Sequence, residues 1–331
     1  MSQDQKKVKI ALDVFGGDSV PDVCLQGALM AVEQDFNLEI LAVGKPEAVD
    51  NLASQHERIT SVHASEVIEM GDHPVDSIRA KKDSSIVIGA KLVKTGEADG
   101  FFSAGSTGAC LAAATLIAGR IKGVKRPAIG AVLPAAKHPV LLIDVGANAD
   151  CRPEMLVQFA KMGTAYASNM MGLERPQVGL LNIGSEETKG NSLAIDTFGA
   201  LSANISNFKG NCEGSDIMTG DFDVIVCDGF SGNVALKSIE GTGKYMLKVL
   251  KSAFLSSTSS KIAALLMKSQ LKEMKSKLDS ESQGGSPLLG VKGAFVIGHG
   301  SSGPRGIKNG ILEAAKTVRA DVAGCITQAI S

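Results

Sequence analysis

Tryptophan is absent from the 331 residues, tyrosine occurs only twice, and the formal net charge is −1. Without a surplus of cations or stacking aromatics, the chain offers no general surface for nucleic acid. Proline is scarce too, ten residues against thirty-seven glycines. That balance excludes collagen-like and Pro-rich disordered classes and suits many tight strand-to-helix turns. The six cysteines (Cys24, Cys110, Cys151, Cys212, Cys227, Cys325) form no C-x-x-C pair and no cluster with His. They read as reduced, buried thiols of a cytosolic protein, not as a disulfide frame or a zinc site. No run of about eighteen uncharged apolar residues occurs, so no membrane span is expected. The polar opening turns strand-like at Val8, so no signal peptide is expected either.

Several catalytic signatures are also missing. No G-x-x-x-x-G-K-[ST] run exists, which excludes a P-loop enzyme. Gly229-Phe230-Ser231-Gly232 has the wrong spacing for a nucleophile elbow. Gly298-x-Gly300-x-x-Gly303 formally matches the dinucleotide fingerprint, but Pro304 follows it and no acid ends a strand about twenty residues on. His and carboxylate residues are spread out, so neither a metal site nor a cofactor is expected.

What the chain does contain is a repeated unit: a short buried strand, a turn of Gly, Asn, Asp and Ser, then a helix. Strands are expected at 8–14, 38–43, 60–64, 100–103, 128–133, 140–143, 178–181, 224–226 and 294–297. Helices are expected at 21–33, 85–95, 110–118, 153–162 and 191–202. This alternation implies an α/β/α sandwich around a mostly parallel sheet, one domain over 8–331, with residues 1–7 as a disordered lead-in. Ligands bind outside the carboxyl ends of such strands. The polar turns are therefore expected to converge on one rim.

Each turn supplies candidates. The first holds Gly16, Gly17 and Asp18; the turn at 104–109 holds Ser106 and Thr107 at a helix start, where free N–H groups attract anions or where the hydroxyls simply cap. Asp144 and Asn148 follow a strand, Asp228 and Asn233 follow another, and His299 closes the last. The stretch VGLLNIGSEETKGNS (178–192) places the lone cation Lys189 beside Gly190 and Asn191 on a loop dense in polar groups. The segment 241–282 differs from the rest: eight lysines (244, 248, 251, 261, 268, 272, 275, 277) flank apolar residues at helical spacing, and Ser256–Ser260 breaks it. It reads as a basic amphipathic helical hairpin at 252–282, suited to anionic lipid or an acidic partner, or to packing against protein with its lysines solvated.

Read as written, LDVFGGD (12–18), KKDSSIVIG (81–89), SAGSTGA (103–109), IDVGANADCRPE (143–154), GLLNIGSEETKGN (179–191), NFKGNCEG (207–214), VCDGFSGNVALKSIEGT (226–242), GGSPLLG (284–290) and GHGSS (298–302) resemble the bacterial fatty-acyl phosphate synthases, the phosphate acyltransferases of phospholipid synthesis. The resemblance runs from about 8 to 325, in order. Three departures stand out. Phe15 precedes the glycines where Met is usual, Ser106 stands where Asn is common, and Gly303-Pro304-Arg305 replaces an Asp followed by small residues.

The resemblance implies a Rossmann-like three-layer fold related to phosphotransacetylases and isocitrate dehydrogenases, in a homodimer that docks peripherally on an anionic membrane. It further implies transfer of a long-chain acyl group from acyl carrier protein or coenzyme A to inorganic phosphate, the product then serving a glycerol-3-phosphate acyltransferase. Phosphate is then the nucleophile, which fits the missing elbow. The enzyme needs a phosphate cradle, oxyanion stabilisation and a thiolate exit. Lys189 is expected to offset negative charge, Asn148, Asn233, Ser106 and Thr107 to donate hydrogen bonds, and His299 to orient phosphate or protonate the leaving sulfur. Asp18, Asp144 and Asp228 are expected to fix loops and cations. A short-chain phosphotransacetylase, a decarboxylating dehydrogenase and a non-catalytic scaffold remain the alternatives.

Overall fold

The computed structural model describes residues 6–278 and 284–331. The expected lead-in at 1–7 lies outside them except for Lys6 and Lys7, and the expected hairpin lies outside them over 279–282.

The first half of the chain runs β1 (Val8–Asp13), α1 (Asp22–Gln34), β2 (Leu38–Gly44), α2 (Pro46–Ala53), β3 (Ile59–His63), α3 (Pro74–Ala80), α4 (Ser85–Thr95), β4 (Gly100–Ser103) and α5 (Thr107–Ala113, extended by a π-helical turn to Ala118). A hairpin, β5 (Ala128–Leu133) and β6 (Val140–Ile143), leads into α6 (Pro153–Met170), β7 (Val178–Asn182), α7 (Ser192–Asn204), β8 (Phe208–Glu213) and β9 (Val224–Val226). Three helices follow, α8 (Gly229–Leu255), α9 (Thr258–Leu266) and α10 (Lys268–Leu278). The chain then closes with β10 (Ser286–Leu289), β11 (Ala294–Ile297), α11 (Pro304–Arg319) and α12 (Val322–Ile330).

The eleven strands of the described residues join one sheet in the order β3-β2-β1-β4-β11-β10-β5-β6-β9-β7-β8. Strand burial explains the sheet's character. Ile10, Ala11 and Leu12 are all fully buried, as a strand covered on both faces requires. Ile10 and Leu12 face the core beneath α1 and α11, whereas Ala11 faces a second core that runs under α4, α5 and α8 across both halves of the sheet. A third core packs α6, α7 and α12 on β6, β7 and β9.

The sheet is not parallel throughout. β3, β2, β1, β4 and β11 pair in parallel, and so do β6, β9, β7 and β8. Between these blocks, β10 is antiparallel to both β11 and β5, and β5 is antiparallel to β6. Three successive reversals leave the two parallel blocks pointing in opposite directions. The turns after β1, β4 and β11 therefore leave one edge of the sheet, and those after β6, β7 and β9 leave the other. The expectation of a single rim is thus corrected. The cause is the antiparallel centre, to which β10 contributes a strand that the glycine- and proline-containing stretch 284–290 conceals.

Candidate functional site

At the centre of the sheet, a crevice of about 190 Å³ lies on the face covered by α5 and α8. It is the place where the two blocks meet: Thr107, His299, Ser302 and Gly306 come from the first, and Val145 and Asn233 from the second.

The first block's wall is set by Asp13, at the buried end of β1. Its carboxylate accepts the Ser103 hydroxyl at 2.7 Å and the Phe15 N–H at 3.1 Å, while Ser103 Oγ accepts the Gly105 N–H at 2.9 Å. Burial pushes the Asp13 carboxyl above the usual range, against the pull of its Ser85 and Ser103 hydrogen bonds. Gly16 belongs here of necessity, because a Cβ would stand 2.6 Å from Asp13 Oδ2 and 2.7 Å from the Gly105 nitrogen. Gly17 and Asp18 lock this turn to the last one, with Asp18 N–H donating to Gly300 O at 2.8 Å. Ser106 is a buried N-cap whose Oγ faces the Ala109 N–H at 3.4 Å, and Thr107 stays exposed to the crevice. His299 is exposed, and Ser301 donates its backbone N–H to His299 Nδ1 at 3.3 Å. That contact assigns the neutral ring's proton to Nε2.

The second block is organised by Asp144, fully buried at the end of β6. Its Oδ1 accepts the N–H groups of Ile129 (3.1 Å), Gly146 (3.2 Å) and Ala147 (2.9 Å); Oδ2 accepts the backbone N–H and side-chain Nδ2 of Asn148, both at 2.8 Å. Burial raises this carboxyl above its ordinary range, and the Ala147 and Asn148 donors pull it back. Asn148 Nδ2 also donates to Pro127 O at 2.8 Å, so both of its amide hydrogens are engaged inside the protein. Asn148 thus positions the turn and has no hydrogen left for a ligand. The first turn of α8 lies flush on this loop: a Cβ at Gly232 would come within 1.9 Å of Asp144 O. The next residue, Asn233, spends one donor on Val145 O at 3.1 Å and lines the crevice.

The other sequence candidates sit elsewhere. Asn182 Nδ2 donates to Lys189 O at 3.0 Å, and Asn211 Nδ2 to Glu186 O at 2.8 Å; together they hold the 183–190 loop. Asn191 caps α7 through the Ala194 N–H at 2.9 Å, and Asp228 caps α8 through the N–H and hydroxyl of Ser231, both at 2.8 Å. Gly190, Asn191 and Asp228 border a second cavity of about 840 Å³ at the carboxyl ends of β7 and β9, and Lys189 is exposed on its loop. The first turns of α8 separate the two cavities, so Lys189 and His299 do not share one.

Sequence reasoning missed Asp13 and Ser103. The available signal was positional, since Asp13 ends β1 as Asp144 ends β6. Four of the cysteines are poor nucleophiles: burial pushes Cys110, Cys151 and Cys212 up to about 12 and Cys227 well above the usual thiol range. The crevice thus gathers hydroxyl and amide groups and one imidazole, groups able to hydrogen-bond an anion, beside Lys237 and Glu240, which pair with each other at 3.0 Å.

Residues 8–324 match the family described as fatty acid synthesis protein. The chain is 47% identical over 315 residues to a phosphate acyltransferase of Desulfitobacterium hafniense (strain Y51), covering 94% of each chain. It is 45% identical over 324 residues to a phosphate acyltransferase of Bacillus licheniformis, covering 98% of each. Among solved structures, a phosphotransacetylase from Streptococcus pyogenes superposes with a TM-score of 0.61 at 18% identity, covering 94% of each chain. A branched-chain phosphotransacylase from Enterococcus faecalis gives a TM-score of 0.59 at 15% identity, covering 94% of this chain and 99% of the other. These last two likenesses concern the fold.

Proposed function

The chain belongs to the fatty acid synthesis protein family and is an acyltransferase; we propose that it moves a long-chain fatty acyl group from acyl carrier protein, or coenzyme A, to inorganic phosphate. The acyl phosphate would then serve a glycerol-3-phosphate acyltransferase in phospholipid synthesis. The observation that carries this reading is the central crevice, where Thr107, Asn233 and His299 meet without any activated nucleophile, in a chain alike to phosphate acyltransferases along its whole length.

In this reading a phosphate oxygen attacks the thioester carbon. The new C–O bond forms as the carbonyl becomes an oxyanion; collapse then breaks the C–S bond, and the thiolate leaves and takes the proton that the attacking hydrogen phosphate gives up. Thr107 and Asn233 donate to the phosphate and the developing oxyanion, for which preset donors are worth most. His299 Nε2–H orients phosphate, or the ring relays phosphate's proton to sulfur. Gly16, Gly17, Asp18, Ser106, Asp144 and Asn148 hold the walls. Lys189, exposed on the neighbouring loop with Gly190, Asn191 and Asp228, draws anionic substrate to the α8 N-terminus.

The deciding measurement is mass-spectrometric detection of acyl phosphate from acyl carrier thioester plus phosphate. Thiol release that does not depend on phosphate would sink the reading. In the same assay Lys189→Ala is expected to raise the KM for phosphate about threefold at low salt and less at high salt, because Lys189 lies outside the crevice and acts by long-range attraction. A value close to wild type would remove Lys189 from the mechanism.

The helices α8 to α10 support the proposed partners. Lys244, Lys248, Lys251, Lys261, Lys268 and Lys272 are all exposed, a basic surface for an acidic carrier. Leu265 and Leu266 are 69% and 79% exposed on α9, which suits peripheral docking on an anionic bilayer at the cytoplasmic face. Tyr245, Met246 and Val249, exposed on α8, suit a homodimer contact. No described helix is long and apolar enough to cross a membrane. Replacing Leu265 and Leu266 by Glu is expected to abolish co-flotation with anionic vesicles; undiminished flotation would overturn the docking role.

A further inference from the structure

The 840 Å³ cavity between α7 and α8 has a composition the phosphate chemistry does not use. Its lining is largely apolar, with Leu156, Leu181, Leu193, Ile217, Val234 and Ala235 on its walls. Its lining also carries the polar groups of Asn182, Asn191, Glu213, Ser215, Asp228 and Ser231. Apolar side chains are left in water around it: Ile183 is 82% exposed, Phe230 67% and Val234 52%. A largely apolar cavity with a few polar groups on its lining matches an amphiphile with a long chain and a polar head. Its position, at the carboxyl ends of β7 and β9, is where open α/β sheets take ligands.

We propose that this cavity holds the hydrocarbon chain of the acyl donor, and that Leu193 and Val234, on opposite walls, set the chain length accepted. This rests on the acyl-transfer reading above and adds to it the location of the chain. Size agrees. A methylene is about as large as a water molecule, which takes about 30 Å³ in the liquid, so a sixteen-carbon chain needs about 500 Å³. The cavity's 840 Å³ admits it with room for the head group. The α8 N-terminal turns form a wall common to this cavity and the central crevice, through Ser231 and Val234 on one side and Asn233 on the other. A thioester held at that helix start has its chain on one side and its carbonyl toward the donors on the other.

The test uses full-length protein with acyl thioesters of four, eight, twelve and sixteen carbons, and two separate variants, Leu193→Trp and Val234→Trp. For each variant the ratio of kcat/KM for the sixteen-carbon substrate to that for the four-carbon substrate is expected to fall at least tenfold. Binding of cis-parinaric acid, a fluorescent eighteen-carbon fatty acid, is expected to weaken at least tenfold without phosphate or carrier present. A ratio and a parinarate affinity unchanged in both variants, with wild type active, would overturn the groove and leave the acyl-transfer reading standing. Variants that lower the oligomeric state while the ratio holds would hand the cavity to a second copy of the chain, and that too overturns the proposal. A wild type that makes no acyl phosphate but loses parinarate affinity in both variants would instead retire the acyl-transfer reading and keep the chain-binding groove.

Discussion

Replacing Asp144 by alanine is expected to destabilise the protein by about 4 kcal/mol, among the larger effects of any single substitution. The carboxylate is fully buried and collects five donors, four from the backbone and one from Asn148. Alanine strands those groups in a site that α8 seals, each at a cost of about 1 kcal/mol or more when water cannot replace the partner. Hydrogen bonds that Asp144 makes to the 146–148 loop also fix the floor on which Gly232 rests. Asn148, released from Oδ2, would lose its orientation, so the loss extends to the crevice wall. Asp144→Asn separates the causes. It keeps an acceptor for Ile129, Gly146 and Ala147 but sets its own N–H₂ against the Asn148 donors, so about half the loss is expected. Urea unfolding followed by circular dichroism reads both. An alanine variant within about 1 kcal/mol of wild type would show that Asp144 does not organise this turn.

Such a site was only half legible in the sequence. Strand positions were plain wherever a continuous apolar run met a Gly or Asp turn, as at 140–143 before Asp144, because both-face burial leaves no polar residue within the strand. β8 was missed because Lys209, Gly210 and Asn211 give Phe208–Glu213 no apolar run at all; it is an edge strand, paired only with β7. β10 was missed because Pro287 and two preceding glycines read as a turn. That second omission had a wider consequence, since β10 and the β5–β6 hairpin reverse the sheet and send the candidate turns to two edges. Residue roles were harder still. Asn148 and Asn233 look alike in sequence, each an Asn in a Gly-rich turn. Only tertiary geometry shows that Pro127 O and Asp144 use both amide hydrogens of one, while Val145 O uses a single hydrogen of the other.

That distinction yields the second large effect: Asn233→Ala is expected to lower kcat for phosphate-dependent acyl transfer about 10²-fold, with little change in fold stability. Asn233 is exposed on α8, so its truncation leaves no buried partner except Val145 O. The α8–loop contact survives through the Gly229 N–H, which donates to Asn148 O at 2.7 Å. What is lost is the amide that the second block supplies to the crevice lining, which Thr107 and His299 of the first block share. His299→Ala is expected to lose a similar factor, since it removes the Nε2–H that meets phosphate or sulfur. If both residues serve one transition state, the double variant falls by less than the product of the two single losses, because the second truncation acts on an already misaligned complex. His299→Gln, which can return an N–H at about the Nε2 position, should recover part of kcat if orientation of phosphate is the role, and none if proton donation to sulfur is. Asn148→Ala supplies the contrast: its main effect should be on stability, through the unmet Asp144 and Pro127 oxygens. Steady-state kinetics with thermal unfolding on the same five variants decides it. Asn233→Ala with kcat within twofold of wild type would move the chemistry out of the central crevice, toward the loop that carries Lys189.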